Sequence, residues 1–277
     1  MKHISRSELE DALYAVGVNR GCLLHVQSAL KRIGPVEGGS TRKGILEFYL
    51  ETISNLIGSE GTLTVLTATM SCGYYGKPFV HEATPSEVGV FSEHVRCQPL
   101  AVRSLHPIMS LSSLGAMASE ICGRPHFNAY GIHSPWNFLE EKNAVICTLG
   151  LGLDNGGGGA TYFHYLESRY GVPYQYRKQL SIPVFRNGSE ITGVFTMDVR
   201  YLDFGIEYNT VSFKERLYRE GIASMVPIGG ASIWAAPAKL IMKRGAELLD
   251  EDRFMLLKAP PEFRVGEIPM DGASVRR

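Results

Sequence analysis

Two stretches, Gly21-Cys-Leu-Leu-His-Val-Gln-Ser28 and Gly61-Thr-Leu-Thr-Val-Leu-Thr-Ala-Thr69, decide the fold. Each begins at a glycine and continues with apolar and β-branched residues, which is typical of a buried strand. Between them, Ser40 or Thr41 can cap an amphipathic helix that ends near Leu56. A strand, a helix and a second strand in this order predict a parallel pair with a right-handed crossover. The core therefore belongs to the α/β class.

The rest of the chain extends this core. Residues 144–149 predict another buried strand, and residues 180–208 alternate around a hairpin turn at Arg186-Asn-Gly188, which indicates antiparallel strands. Helices are predicted at residues 5–16 (capped by Ser7), 111–121, 161–170, 212–220 and 236–249. No linker or internal repeat divides the sequence. We predict a single domain over residues 1–277, with a central mixed β-sheet flanked by helices.

Composition excludes several classes of partner. The chain has 28 lysines and arginines against 28 aspartates and glutamates, so its formal net charge is zero. A nucleic-acid-binding protein would normally show a basic excess, and a membrane-surface anchor would show a basic block. No apolar run of about 18 residues and no apolar leader occur. We therefore expect a cytoplasmic protein that binds neither nucleic acid nor membrane.

Cysteine and histidine spacing gives no sign of a metal site. The five cysteines are an odd number and form no Cys-x-x-Cys pair, which argues against a disulfide framework and against a thiolate zinc site. No histidine pair at metal-ligand spacing has a third ligand nearby. We expect no bound metal.

His164 and Glu167 are the first candidate for chemistry. On the predicted helix after residue 160 they are three positions apart, so both lie on one face, near the carboxyl end of a buried strand. A carboxylate that orients an imidazole produces a general base that works near neutral pH. The alternative is that both side chains lie on an exposed helix surface.

Two further segments could bind an anion. Arg103-Ser-Leu-His106-Pro-Ile-Met-Ser110 places an arginine and two hydroxyls before the predicted helix 111–121, which suits a phosphate; alternatively, Ser110 only caps that helix. The glycine-rich stretch Asp154-Asn-Gly-Gly-Gly-Gly159 offers backbone N–H groups before a helix but lacks a P-loop or dinucleotide motif. The alternative there is a flexible loop that closes over a site. No Gly-x-Ser-x-Gly elbow of a serine hydrolase occurs.

Taken in order, the motifs resemble the aminoglycoside 3-N-acetyltransferase family. The resemblance covers about residues 20–178 and returns weakly at 215–257. The matching pieces are Leu24-His-Val-Gln-Ser-Ala-Leu30, Ile33-Gly-Pro-Val-Glu-Gly-Gly39, Gly61-Thr-Leu-Thr-Val-Leu-Thr67, Thr84-Pro-Ser-Glu-Val-Gly-Val-Phe91, Arg103-Ser-Leu-His-Pro107, Ser134-Pro135, Thr161-Tyr-Phe-His-Tyr-Leu-Glu167 and Val172-Pro-Tyr174.

The resemblance implies an α/β fold distinct from the GCN5-like acetyltransferases, and transfer of an acetyl group from acetyl-CoA to a sugar-ring amine, the chemistry of antibiotic resistance. It implies that His164 is the general base and that Glu167 orients it. It also implies that a set of residues faces CoA, with Arg103 pairing with the phosphates and Thr67 near pantetheine or the thioester. These are Ser28, Thr67, Arg103, Ser104, His106 and Ser110. No metal takes part.

The sequence departs from the family pattern at about residues 179–220, so the amine substrate stays open. Proteins that bind polycationic drugs usually present an acidic surface, and a chain of zero net charge gives no sign of one. One alternative acceptor is an amino sugar linked to a nucleotide, as in surface-polysaccharide biosynthesis, whose diphosphate would meet Arg169, Arg177, Lys178 and Arg200; alternatively, these four residues are ordinary solvated surface charges. Another alternative is a non-catalytic CoA- or small-molecule-binding homologue, and a third is a hydrolase or an acyl-carrier-dependent transferase. Homodimerisation also stays open.

Overall fold

A computed structural model describes residues 3–153, 160–201 and 204–263 of the chain. The glycine-rich stretch 154–159, for which anion binding or loop closure is predicted, lies outside the described residues. The strands are β1 Leu23–Ser28, β2 Thr62–Leu66, β3 Phe79–Val80, β4 Val102–Arg103, β5 Leu111–Gly115, β6 Val145–Leu149, β7 Gln175–Leu180, β8 Val184–Arg186, β9 Ser189–Glu190, β10 Phe195–Arg200, β11 Ser224–Ile228 and β12 Ala231–Pro237.

A seven-stranded mixed sheet forms the centre of the molecule, in the order β11-β12-β6-β1-β2-β5-β4. Its three middle strands, β6, β1 and β2, are parallel, and Leu24 of β1 lies in register with Leu63 of β2 and Val145 of β6. On either side of them, β12 and β5 run antiparallel. The predicted α/β class, the mixed sheet and the parallel first pair of strands are thus confirmed.

Helices cover the sheet. They are α1 Arg6–Ala15, α2 Leu30–Ile33, α3 Arg42–Ile57, α4 Met70–Tyr75, α5 Val90–Arg96, α6 Ala118–Cys122, α7 Pro135–Glu141, α8 Tyr162–Tyr170, α9 Thr210–Arg219 and α10 Ala238–Glu251. Thr41 caps α3 by accepting a hydrogen bond from the Gly44 N–H, as predicted. The cap of α1 is Ser5 and not Ser7, because Ser5 and Glu8 form a reciprocal capping box. No helix in the described ranges is both long and apolar enough to span a bilayer.

The sheet separates two apolar cores. Side chains alternate along each strand, so Leu23 packs into one core while its neighbour Leu24 packs into the other. The larger core contains Trp136, Phe163 and Trp234 under helices α7, α8 and α10. Burial on both faces explains why β1 and β2 consist mostly of apolar and β-branched residues and contain no lysine, arginine, aspartate or glutamate.

The helix predicted at residues 111–121 is wrong. Its first part is strand β5, which pairs antiparallel with β2, so that Ser113 lies opposite Thr64. Only Ala118–Cys122 is helical, as α6. Small residues carry no strong local preference, and the ladder hydrogen bonds offered by β2 decide the outcome. Ser110 therefore precedes a strand and caps no helix.

A two-stranded ribbon of β7 and β10 lies outside the main sheet, with Tyr176 opposite Val199. The predicted hairpin turn joins β8 to β9: Asn187 and Gly188 have φ of 51° and 75°, values that suit asparagine and glycine. The ribbon spans part of the segment that departs from the family pattern. It contributes one wall of the cavity described next.

Candidate active site

A cavity of about 360 Å³ opens between the end of β2 and the β7–β10 ribbon. Apolar side chains from the segments after β2 and before β5 line part of it: Leu66, Ala68, Met70, Val88, Ile108 and Met109. The ribbon and the segments around α8 and α9 contribute polar groups: Thr161, His164, Gln175, Asp198, Arg200 and Tyr208. The cavity thus combines a surface for an apolar group with a small set of polar contacts, as ligand sites usually do.

His164 and Glu167 form a hydrogen-bonded pair at this cavity. His164 lies in the first turn of α8, and its Nδ1 is 2.6 Å from Oε2 of Glu167. The histidine side chain is 36% exposed, whereas the glutamate is fully buried. An N–H at Nδ1 that donates to a carboxylate leaves Nε2 as the nitrogen that can accept a proton. The pair predicted from spacing is therefore assembled.

Two further side chains hold the Glu167 carboxylate. The Tyr174 hydroxyl donates to Oε1 at 2.7 Å, and the Gln175 amide donates to Oε2 at 3.1 Å. Burial and the nearby carboxylate raise the pKa of Tyr174 well above its usual range, so the phenol stays a donor. A buried carboxylate needs such donors because it has lost its hydration. These bonds fix the orientation of Glu167, and through it the orientation of His164.

Aromatic contacts surround the imidazole. The Tyr208 ring centroid lies 5.0 Å from that of His164, at an angle of 59°. On the same tyrosine ring, the Arg200 guanidinium carbon lies 5.1 Å from the centroid. The pKa of Tyr208 is raised, first by burial and then by Glu167, so it remains an uncharged phenol. Sequence spacing gives no sign of this cluster, because Arg200 and Tyr208 come from β10 and from the segment before α9.

The start of α8 is fixed to the central sheet by Gln27 of β1. The Gln27 amide donates to Thr161 Oγ1 at 2.6 Å, and its oxygen accepts from the Thr161 backbone N–H at 2.6 Å. The end of β6 is held from α9: the buried Lys214 ammonium donates to Thr148 Oγ1 at 3.0 Å and to the Leu151 carbonyl at 2.7 Å. Both ends of the β6–α8 connection are thus held by side chains from other elements.

Most side chains predicted to face CoA lie instead in a buried hydrogen-bond network. Thr67, Ser104 and Ser110 are fully buried and do not line the cavity. The Ser110 hydroxyl donates to the Thr67 carbonyl at 2.9 Å, and Ser104 Oγ accepts from the Leu111 N–H at 3.0 Å. This network ties the end of β2 to the start of β5. Its neighbours Leu66, Ala68 and Met109 reach the cavity.

Arg103 belongs to the same network. It is 6% exposed, its guanidinium stacks on the Phe79 ring, and its N–H groups donate to Ser110 and to the carbonyls of His81, Thr84 and Thr67. These contacts do not favour the predicted pairing with CoA phosphates, because the enclosed guanidinium already donates its N–H groups to protein oxygens. Arg103 holds the segments around β2 and β4 together.

His106 and Ser28 complete the predicted set. His106 is fully buried, and burial lowers its pKa to about 3. Its Nδ1 accepts from the Ile108 and Met109 N–H groups, so Nε2 carries the proton and donates to the Thr196 carbonyl at 3.1 Å. The neutral imidazole thus connects the loop before β5 to β10. Ser28 lies half-buried at the carboxyl end of β1.

A family model for aminoglycoside 3-N-acetyltransferases matches residues 25–250. The chain belongs to this family. It is 24% identical over 238 residues to an SPbeta prophage-derived aminoglycoside N(3')-acetyltransferase-like protein, YokD, of Bacillus subtilis strain 168, with 78% of each chain covered. Proteins of this family are acyltransferases, and the predicted enzyme class is confirmed.

Solved structures share the fold of this acetyltransferase-family chain. AAC-IIIb in a binary complex with CoASH gives a TM-score of 0.73 at 20% identity, covering 94% of this chain and 100% of the other. A histidine-to-alanine mutant of AAC(3)-IVa in complex with a gentamicin gives 0.74 at 23% identity, covering 94% and 93%. The predicted fold, distinct from the GCN5-like one, is confirmed.

Proposed function

We propose that this protein transfers an acetyl group from acetyl-CoA to the amine of an amino sugar, with His164 as general base and Glu167 as the group that orients it. The observation that carries the proposal is the His164–Glu167 hydrogen bond at the wall of the cavity, within a fold shared with acetyltransferases. The AAC-IIIb complex supports CoA as the carrier of the acyl group, and the gentamicin complex supports an amino-sugar amine as acceptor.

The geometry accounts for the proton transfers. An alkyl amine is mostly protonated at neutral pH, and its nitrogen can attack the thioester only after one proton has left to solvent. As the new C–N bond forms, His164 Nε2 takes a proton from the amine, and the buried Glu167 carboxylate stabilises the resulting imidazolium. When the C–S bond breaks, the imidazolium returns the proton to the CoA sulfur. No covalent acyl-enzyme is required.

The cavity fits the thioester end of acetyl-CoA. Its apolar residues, among them Met70, Ile108 and Met109, suit an acetyl group and the neutral arm behind it. We propose that Ser28, at the end of β1, contacts this arm. Thr67, Arg103, Ser104, His106 and Ser110 act by holding the backbone that forms the cavity wall rather than by touching CoA.

A matched pair of histidine variants tests the base. His164→Ala should lower kcat/KM for acetyl transfer by at least about 100-fold, because it removes general base catalysis. CoA affinity, measured by calorimetry, should stay unchanged. His133→Ala is the control, since His133 is exposed and lies outside the cavity. Full activity of His164→Ala in a thiol-reagent assay of CoA release would refute the assignment. Absence of CoA binding by the wild type would refute the function itself.

A further inference from the structure

The charges of the described residues that line the cavity do not suit a polycation. Asp198 is the one carboxylate among the described residues that line the cavity, and its charge is already paired with an arginine. Arg177 donates to both Asp198 oxygens, from Nε at 2.9 Å and from Nη2 at 3.0 Å, and the Ser168 hydroxyl donates to the same group. A carboxylate in a bidentate pair has little attraction left for a ligand ammonium group. A polycation would need several uncompensated carboxylates here.

The cavity instead offers a cation. No carboxylate of the described residues lies within ion-pair distance of Arg200, whose exposed guanidinium rests on the Tyr208 ring. Because the two ring distances at Tyr208 are 5.1 and 5.0 Å, the guanidinium carbon lies within about 10 Å of the His164 ring centre. One sugar ring with a substituent can span that separation. A planar guanidinium matches the oxygens of a phosphate or carboxylate.

We infer that the acceptor is an amino sugar that carries a single anionic group, such as a phosphate monoester. Arg200 binds that group while the amine reaches His164. This inference rests on the proposed function, since it assumes that the amine is acetylated at His164. The apolar lining, including Met197 on the same strand as Arg200, gives the uncharged face of the sugar a surface to pack on. Arg177 keeps Asp198 from repelling the anion.

Binding and turnover are measured separately, with three amino-sugar probes that differ in charge. The probes are glucosamine, glucosamine 6-phosphate and tobramycin, titrated by calorimetry into the CoA-loaded protein. Glucosamine 6-phosphate should bind about fivefold more tightly than glucosamine, the magnitude of one partly exposed ion pair. Tobramycin should bind most weakly. Tighter binding of tobramycin, equal binding of the two glucosamines, or binding of neither would overturn the inference.

A charge-matched pair of variants assigns the effect. Arg200→Gln should abolish the preference for the phosphate, whereas Arg42→Gln should retain it. Arg42 is exposed at the start of α3 and does not line the cavity, so its replacement removes the same net charge elsewhere. A phosphate preference that survives in Arg200→Gln would overturn the role of Arg200. Phosphate-selective binding without any CoA release would refute acetyl transfer but support anion recognition. Faster turnover of tobramycin than of glucosamine 6-phosphate would support acetyl transfer but refute anion recognition.

Discussion

Replacing Glu167 by glutamine keeps the size of the side chain but removes its charge. The carboxylate accepts three hydrogen bonds in a fully buried position, from His164, Tyr174 and Gln175. A glutamine has one acceptor oxygen and a donating NH₂, so at least one of the three donors loses its partner. In the proposed mechanism, the imidazolium that forms during transfer also loses its counter-charge. One charge-assisted hydrogen bond contributes about 1.5–3 kcal/mol, which corresponds to about a 10- to 150-fold fall in kcat.

The assay is the initial rate of CoA release, followed with a thiol reagent at saturating acetyl-CoA. CoA affinity is measured by calorimetry and stability by urea unfolding, because loss of a merely structural role would reduce both the affinity and the stability. Glu93→Gln is the control, because Glu93 pairs with Arg96 away from the cavity. A kcat for Glu167→Gln within about twofold of the wild type would refute the orienting role.

Two further predictions concern stability. Arg103→Lys should lower the free energy of unfolding by about 2–3 kcal/mol, because one ammonium cannot reach all the carbonyls and the hydroxyl that the guanidinium reaches. Urea unfolding measures the change in stability. A variant that keeps its stability but binds CoA more weakly would instead support the predicted pairing of Arg103 with the CoA phosphates. Burial lowers the pKa of His25 and His106 from 6.5 to about 3, and that of His126 to about 4. The unfolded chain therefore takes up protons below about pH 6.5 while the folded protein does not. The contribution of these histidines to the unfolding free energy should be flat above that pH and fall as the pH drops towards 3. An unchanged urea midpoint between pH 7 and pH 5 would contradict this.

Local pattern was enough to predict the core of the fold. The bounded runs that became β1, β2 and β6 are buried on both faces, so burial and propensity agree there. The helix predicted at Leu111–Gly115 was wrong because local pattern does not determine the structure there. Its serines and glycine favour no single structure, and the free edge of β2, distant in sequence, imposed a strand.

In the site, too, contacts between residues close in sequence could be predicted, and contacts between distant residues could not. His164 and Glu167 are one turn apart on a helix, so spacing alone could bring them together. Gln175, Arg200 and Tyr208 reach the histidine only through the β7–β10 ribbon and the segment before α9, and spacing along the chain does not show such contacts. Hydroxyls and an arginine near strand ends also looked like ligand contacts. Thr67, Ser110 and Arg103 are buried and joined by hydrogen bonds, and spacing along the chain does not predict that burial.

The two clamps at the β6–α8 connection have a consequence for how this enzyme can change. Lys214 holds the end of β6, and Gln27 holds the start of α8, so His164 is tied to the central sheet from both sides of that connection. A substitution at Gln27 or Lys214 can therefore shift the His164 imidazole, although neither side chain is the proposed base.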